Sequence, residues 1–262
     1  MPVLALLLVM AVTGCSSSHS AAAQGSSTPS PSATASATPT GSTSTAPPPC
    51  PNPEGGSCLG ALHPGQTYTT SMFRPTISYS VPEAAWKNYE DLAGNFLIVP
   101  PENDLDGVNA GTSDFIGVYT SIAAARFIHL PNCASPPVSG VARTPQAFAA
   151  WVRHQRDVSA TAPVPVSIGG LHGLRIDLKL KPGVRVPHCI DDLSGNPVRV
   201  LPILTGVPPS SLDHGLIPHL TMRLYLLTYR KSILGIELDD VAKAPGSLVS
   251  LSAVAEKLLF GR

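Results

Sequence analysis

Residues 16–49 contain no Asp, Glu, Lys or Arg and consist almost entirely of Ser, Thr, Ala, Pro and Gly. A stretch of this kind cannot bury enough apolar surface to offset its ordering entropy, so it is predicted to be disordered. As a flexible coil it would reach roughly 32 Å, and its prolines stiffen it toward polyproline II. Its Ser/Thr/Pro content also suits an O-glycosylated stalk. Only residues 50–262 remain to build a core, which is enough for one substantial domain.

Ahead of the stalk, residues 3–12 form an unbroken apolar run, followed by Thr13, Gly14 and Cys15. The run is too short to span a bilayer, which takes about 20 apolar residues, and has the length of a signal-peptide core. Val12-Thr13-Gly14-Cys15 resembles the lipobox of bacterial lipoproteins. The resemblance implies cleavage before Cys15 and a diacylglyceryl group on its sulfur. No Lys or Arg precedes the apolar run, so a translation start further upstream is expected. The alternative is an ordinary cleaved signal with a chance cysteine. One acyl chain holds a protein only weakly, so the two or three chains of a bacterial lipoprotein would matter. The expected segments are therefore a signal peptide and lipobox (1–15), a stalk (16–49) and an extracytoplasmic domain (50–262), anchored to the cell membrane through Cys15.

The formal net charge is zero, with 17 basic and 17 acidic residues and no charge blocks. That argues against a nucleic-acid partner, which calls for a basic patch. Besides Cys15, the chain carries Cys50, Cys58, Cys133 and Cys189. An even number in an exported chain suggests two disulfides, with three possible connectivities. The favoured pairing is Cys50–Cys58, with Cys133–Cys189 closing a long loop worth about 4 kcal/mol. Nothing has the C-x-x-C spacing of a zinc site.

Within the domain, Ile77 to Val81, Phe96 to Val99 and Phe115 to Tyr119 read as strands. Leu174, Ile176, Leu178 and Leu180 alternate with Arg175, Asp177 and Lys179, as in a strand with one wet face. Met222, Leu224 and Leu226 repeat the pattern with Arg223 and Tyr225 opposite, and Ile233 to Leu238 is the expected hairpin partner. The Arg223/Tyr225 face reads as solvated or as a binding surface. Thr144 and Pro145 open a helix with Phe148, Trp151 and Val152 as its apolar stripe. Ser247 caps a second helix carrying Leu248, Leu251, Val254, Ala255 and Leu258. Leu258-Leu259-Phe260 is either its last half-turn or a short final strand. The class is α+β: an antiparallel sheet with two main helices packed on it.

Ser78-Tyr79-Ser80-Val81-Pro82 with Trp86, the mid-chain helix, the meander and the closing Leu258-Leu259-Phe260 together resemble the Mog1/PsbP-like fold of several actinobacterial lipoproteins. The insert holding Cys133 and the segment from Pro182 to Pro218 stand outside the simple pattern. Members of that fold are mostly accessory or binding proteins, so the resemblance implies a non-enzymatic role with no cofactor and no catalytic residue. The expected partner is a protein, glycan or lipid of the envelope.

No G-x-S-x-G, H-E-x-x-H, P-loop or G-x-G-x-x-G occurs. The segment Pro208 to His219 gathers the most functional-looking residues. Asp213, His214 and His219 could ligate a divalent metal, with His188 or His172 as a fourth ligand. Asp213 and His214 could alternatively serve a small hydrolase. The plainer reading has Ser210 and Asp213 capping turns and both histidines at the surface. Asn103 to Asn109 has oxygen ligands at alternate positions, but Phe115 stands where a calcium loop needs its bidentate Glu, so an Asp-Gly turn is expected. Trp86 and Trp151 read as core residues, with Trp86 beside Lys87 and Tyr89 as a possible groove.

Overall fold

Apolar alternation organises this chain around one long antiparallel sheet, seen in a computed structural model. The structure describes residues 60–126, 135–186, 188–190, 197–210, 212–241 and 247–261. In chain order the first strands are β1 (Gly60–Ala61), β2 (Tyr68–Thr69), β3 (Ile77–Tyr79), β4 (Lys87–Asp91) and β5 (Asn95–Val99). Then come β6 (Phe115–Ala124), β7 (Val158–Ala160), β8 (Val164–Ile168), β9 (Leu171–Leu180), β10 (His188–Ile190) and β11 (Pro197–Arg199). The last are β12 (Leu201–Gly206), β13 (Asp213–Leu216), β14 (Thr221–Tyr229), β15 (Ser232–Asp240) and β16 (Leu259–Phe260). Three helices interrupt them, α1 (Leu105–Asn109), α2 (Pro145–Arg153) and α3 (Ser247–Ala255). The α+β expectation holds in its outline of an antiparallel sheet with a few helices.

The sheet runs β1-β4-β5-β6-β15-β14-β9-β7, with β8 beside β9. Its centre is the expected hairpin: Tyr229 pairs with Ser232, leaving Arg230-Lys231 as a two-residue turn. Arg230 takes φ 54°, as the tight turns that match strand twist require. On the side of β6 away from β15, β5 pairs with residues up to Tyr119 and β12 takes over from Ile122. Between them Ser121 has φ 60°, where β6 passes from one partner to the next.

Successive side chains leave a strand on opposite faces, so both faces of the sheet carry core. On one face Ile116, Val118, Leu234, Ile236 and Leu238 pack with Leu251, Val254 and Ala255 of α3. On the other, Ile122, Ile176, Leu178, Leu224 and Leu226 pack with Phe148, Ala149 and Val152 of α2. Thr144 caps α2 as predicted, its Oγ1 accepting from Ala147 N at 3.2 Å. Ser247 is the first residue of α3 and not its cap. Leu259–Phe260 resolves as a strand, paired with β3.

Two expectations are corrected. The Arg223/Tyr225 face is not a wet one, because α3 covers it: Arg223 donates to Ser252 Oγ at 2.8 Å and Tyr225 to Glu256 at 2.8 Å. Arg223 also grips both oxygens of Asp177 at 2.7 Å each, which fixes α3 and β9 to the same strand. Trp86 is core, at 1% exposed, but Trp151 is only half-buried, its ring against Phe148 at the margin of the α2 core. Of the predicted disulfide cysteines only Cys189 lies among the described residues, so no pair is seen there; Cys189 itself is disulfide-bonded. Cys50, Cys58 and Cys133 lie outside the described residues, as do Cys15 and the stalk. Among the described residues no helix is long and apolar enough to cross a membrane.

Candidate functional site

The segment 208–219 is a loop only at its ends. Asp213–Leu216 pairs with β12, Leu204 standing opposite His214. Gly215 permits this pairing, since a Cβ there would lie 2.2 Å from the Leu201 carbonyl oxygen. The glycine that suggested a loop is instead a close approach of two strands. Ser210 caps no turn; its hydroxyl lies 2.9 Å from Asn95 Oδ1, to which it donates.

The hairpin carries His214 against the face of the sheet opposite α3. There its Nδ1–H donates to Glu237 Oε2 at 2.6 Å. The imidazole stands edge-on to Tyr119 and Phe115, with ring centroids 5.4 and 5.9 Å away. The Glu237 side chain is 1% exposed and that of His214 29% exposed. His214 is therefore not a surface histidine. With Nδ1 committed to Glu237, Nε2 is the one polar atom its ring can offer elsewhere.

Around this pair the sheet places more ionisable groups than local sequence suggests. Tyr119 stands two residues along β6 from Gly117, which pairs with Glu237. Asp239 follows Glu237 by two and shares its face. Burial holds the Tyr119 pKa well above its ordinary value, and nearby Glu237, Glu90 and Asp239 add to the rise. Burial likewise holds Asp239 well above the carboxylate range, reinforced by Glu237, Asp114 and Asp240. Glu90 is raised by burial, against the pull of His214. Asp213 is raised by burial, though hydrogen bonds from Thr205 and the Ser135 backbone and the charge on His214 oppose it. For His214 burial acts downward, but attraction and hydrogen bonding to Glu237, with Glu90 and Asp213 behind it, leave the pKa above 6.5.

These groups border a cavity of about 720 Å³. Glu90, Asn95, Tyr119, Asp213, His214 and Asp239 belong to its polar lining, with Arg199 as its one permanent cation among the described residues. Leu97, Leu105, Val108, Phe115 and Ile217 supply an apolar one. The wall with Leu105 and Val108 is α1, where a plain Asp-Gly turn was expected. Asp104 caps that helix, its Oδ1 accepting from Gly107 N at 2.6 Å. No Ser, Thr or Cys lines the cavity among the described residues.

Other residues singled out in the sequence do not join the site. His219 is exposed in a turn, with φ 71°. His172 and His188 are exposed on β9 and β10. Asp213, His214 and His219 do not form the suggested metal set, and no group of three or more His, Cys, Asp or Glu is placed to hold a metal among the described residues. The residues missed in the sequence are Glu90, Tyr119, Glu237 and Asp239. The one visible signal was Glu237, a carboxylate inside the apolar run Ile233 to Leu238. No family model and no curated protein matches the chain.

Proposed function

We propose that this protein is a lipid-anchored module of the cell envelope that binds a small organic ligand in the cavity beneath β13, without catalysing a reaction. One observation carries the binding half of this reading. The cavity sets the polar side chains of Glu90, Asn95, His214 and Asp239 against an apolar wall of Leu97, Val108 and Phe115. A mixed apolar and polar lining of this volume suits a small molecule.

The anchoring half rests on Cys15 after its apolar run, and the stalk would then hold the domain clear of the bilayer. The finer Mog1/PsbP-like assignment belongs to the same proposal. It draws support from the buried Tyr79 and Trp86 and from the pairing of Leu259–Phe260 with the Ser78 strand.

Both halves are testable on the full chain. Metabolic labelling with an alkyne fatty acid should mark the wild type and leave Cys15→Ser unmarked and released from membranes. A labelled Cys15→Ser protein would refute the anchor. A ligand-observed NMR screen of small cations, anions and neutral molecules should give hits that Leu105→Trp, which fills the cavity, suppresses. Hits indifferent to that change, or no hits, would refute the binding site.

A further inference from the structure

The His214 imidazole is held in the way a metal-ligating histidine is held. Its Nδ1–H donates to Glu237 Oε2 at 2.6 Å, and that carboxylate is 1% exposed. A carboxylate behind one ring nitrogen fixes the tautomer and the orientation of the ring, and raises the basicity of the other nitrogen. That other nitrogen, Nε2, lies on the side of the ring away from Glu237. It has no hydrogen-bond partner among the described residues, in a side chain that is 29% exposed. His214 lines the cavity and Glu237 does not, so the carboxylate reaches a bound molecule only through the imidazole. Phe115 and Tyr119 stand edge-on to the ring and steady its plane.

We infer that His214 Nε2 is the axial ligand of a planar metal chelate of the metalloporphyrin class bound in the cavity, a ligand class that rests on reading the cavity as a binding site. A bare transition-metal ion takes at least three protein ligands. Among the described residues no group of three or more His, Cys, Asp or Glu is placed to supply them. A metalloporphyrin brings four nitrogens of its own and can be held by a single histidine.

The cavity also suits the body of such a ligand. Its volume of about 720 Å³ falls within the roughly 300–1,000 Å³ of small-molecule and cofactor sites. Leu97, Leu105, Val108, Phe115 and Ile217 give the macrocycle an apolar wall. Burial lifts the Asp239 and Glu90 carboxyls toward their neutral forms, which eases the approach of an apolar ring. Arg199 lines the cavity five residues before Leu204, the residue opposite His214, and so at most roughly 17 Å along the chain from it. Its guanidinium suits an acidic substituent on the rim of the macrocycle. Coordination forms one metal–nitrogen bond from the Nε2 lone pair; where the ring is protonated, the Nε2 proton leaves to solvent.

The test is absorption titration of the full chain in detergent with iron(III) protoporphyrin and with metal-free protoporphyrin, against detergent alone. The iron complex should show the spectrum of imidazole-coordinated iron and bind several-fold more tightly than the metal-free ring. His214→Ala should lose that spectrum. Glu237→Gln keeps the fold and provides the test should His214→Ala fail to fold. It should weaken the iron complex by about tenfold or more, the usual effect of losing a carboxylate behind a metal-ligating histidine, and leave the metal-free ring unchanged. Three results would overturn the chelate while leaving the cavity a binding site: equal affinity for the two porphyrins, the coordination spectrum persisting in folded His214→Ala, or an iron complex indifferent to Glu237→Gln. Failure of both porphyrins beside hits from the small-molecule screen would do the same. Failure of both together with an empty screen would overturn the cavity itself.

Discussion

His214→Ala should destabilise the domain by about 3–5 kcal/mol, because it leaves Glu237 as a buried carboxylate without its partner. The lower part of that range applies, since 29% of the imidazole side chain is exposed. Glu237→Gln should cost only about 1 kcal/mol, as the amide oxygen still accepts from Nδ1–H and no charge is stranded. Denaturant titration of the two variants checks the order; equal costs would mean that the charge on Glu237 is not what His214 serves. The pair also sets a pH dependence. A group whose pKa is raised by folding lends stability that is complete below its unfolded value and is lost as pH rises through its folded value. His214, Glu90, Asp213 and Asp239 are all raised. Their contributions add with the same sign, so the melting temperature should fall from about pH 5 to about pH 8. The part of the fall above pH 6.5 should shrink in His214→Ala, with Asp239 supplying what remains.

Gly117→Ala should cost about 2–3 kcal/mol and disturb the site together with the core. The added methyl would lie 2.0 Å from the Tyr119 hydroxyl and 2.4 Å from its Cζ. The ring is 2% exposed and edge-on to His214, so it has little freedom to turn away. Tyr119→Phe alone should be neutral or mildly stabilising, because it removes a buried hydroxyl that has no partner. In the double variant it should restore only part of the loss, since the Cζ contact persists. Thermal melts of the three proteins decide this; full recovery would show that the hydroxyl alone caused the clash.

The scaffold was largely legible, and the site was not. Leu174 to Leu180 and the hairpin of β14 and β15 show their period in the sequence, and each strand needs only its own residues to do so. Thr144 and Pro145 likewise mark the start of α2 locally. The misreadings came where a partner distant in sequence decides the environment. Arg223 and Tyr225 look wet until Ser252 of α3 and Glu256 just past its end cover them. Pro and Gly made 208–219 look like a loop, although Gly215 is small because β12 lies against it. His214 and Glu237 are 23 residues apart, separated by β14 and a turn. Nothing periodic joins them. Glu237 was visible as a carboxylate in an apolar strand, and such a residue must find a partner or lose its charge. That rule identifies the anomaly but not the histidine that answers it.

The central claim is that Glu237 holds His214 through Nδ1 and turns Nε2 toward a ligand cavity. The most direct measurement is long-range ¹H–¹⁵N NMR of the His214 imidazole in the full chain, titrated over pH with and without a saturating small-molecule hit. The account predicts titration above 6.5, a lower midpoint in Glu237→Gln, and a ligand-induced shift larger at Nε2 than at Nδ1. A midpoint at or below 6.5, unmoved by Glu237→Gln and by the ligand, would contradict it.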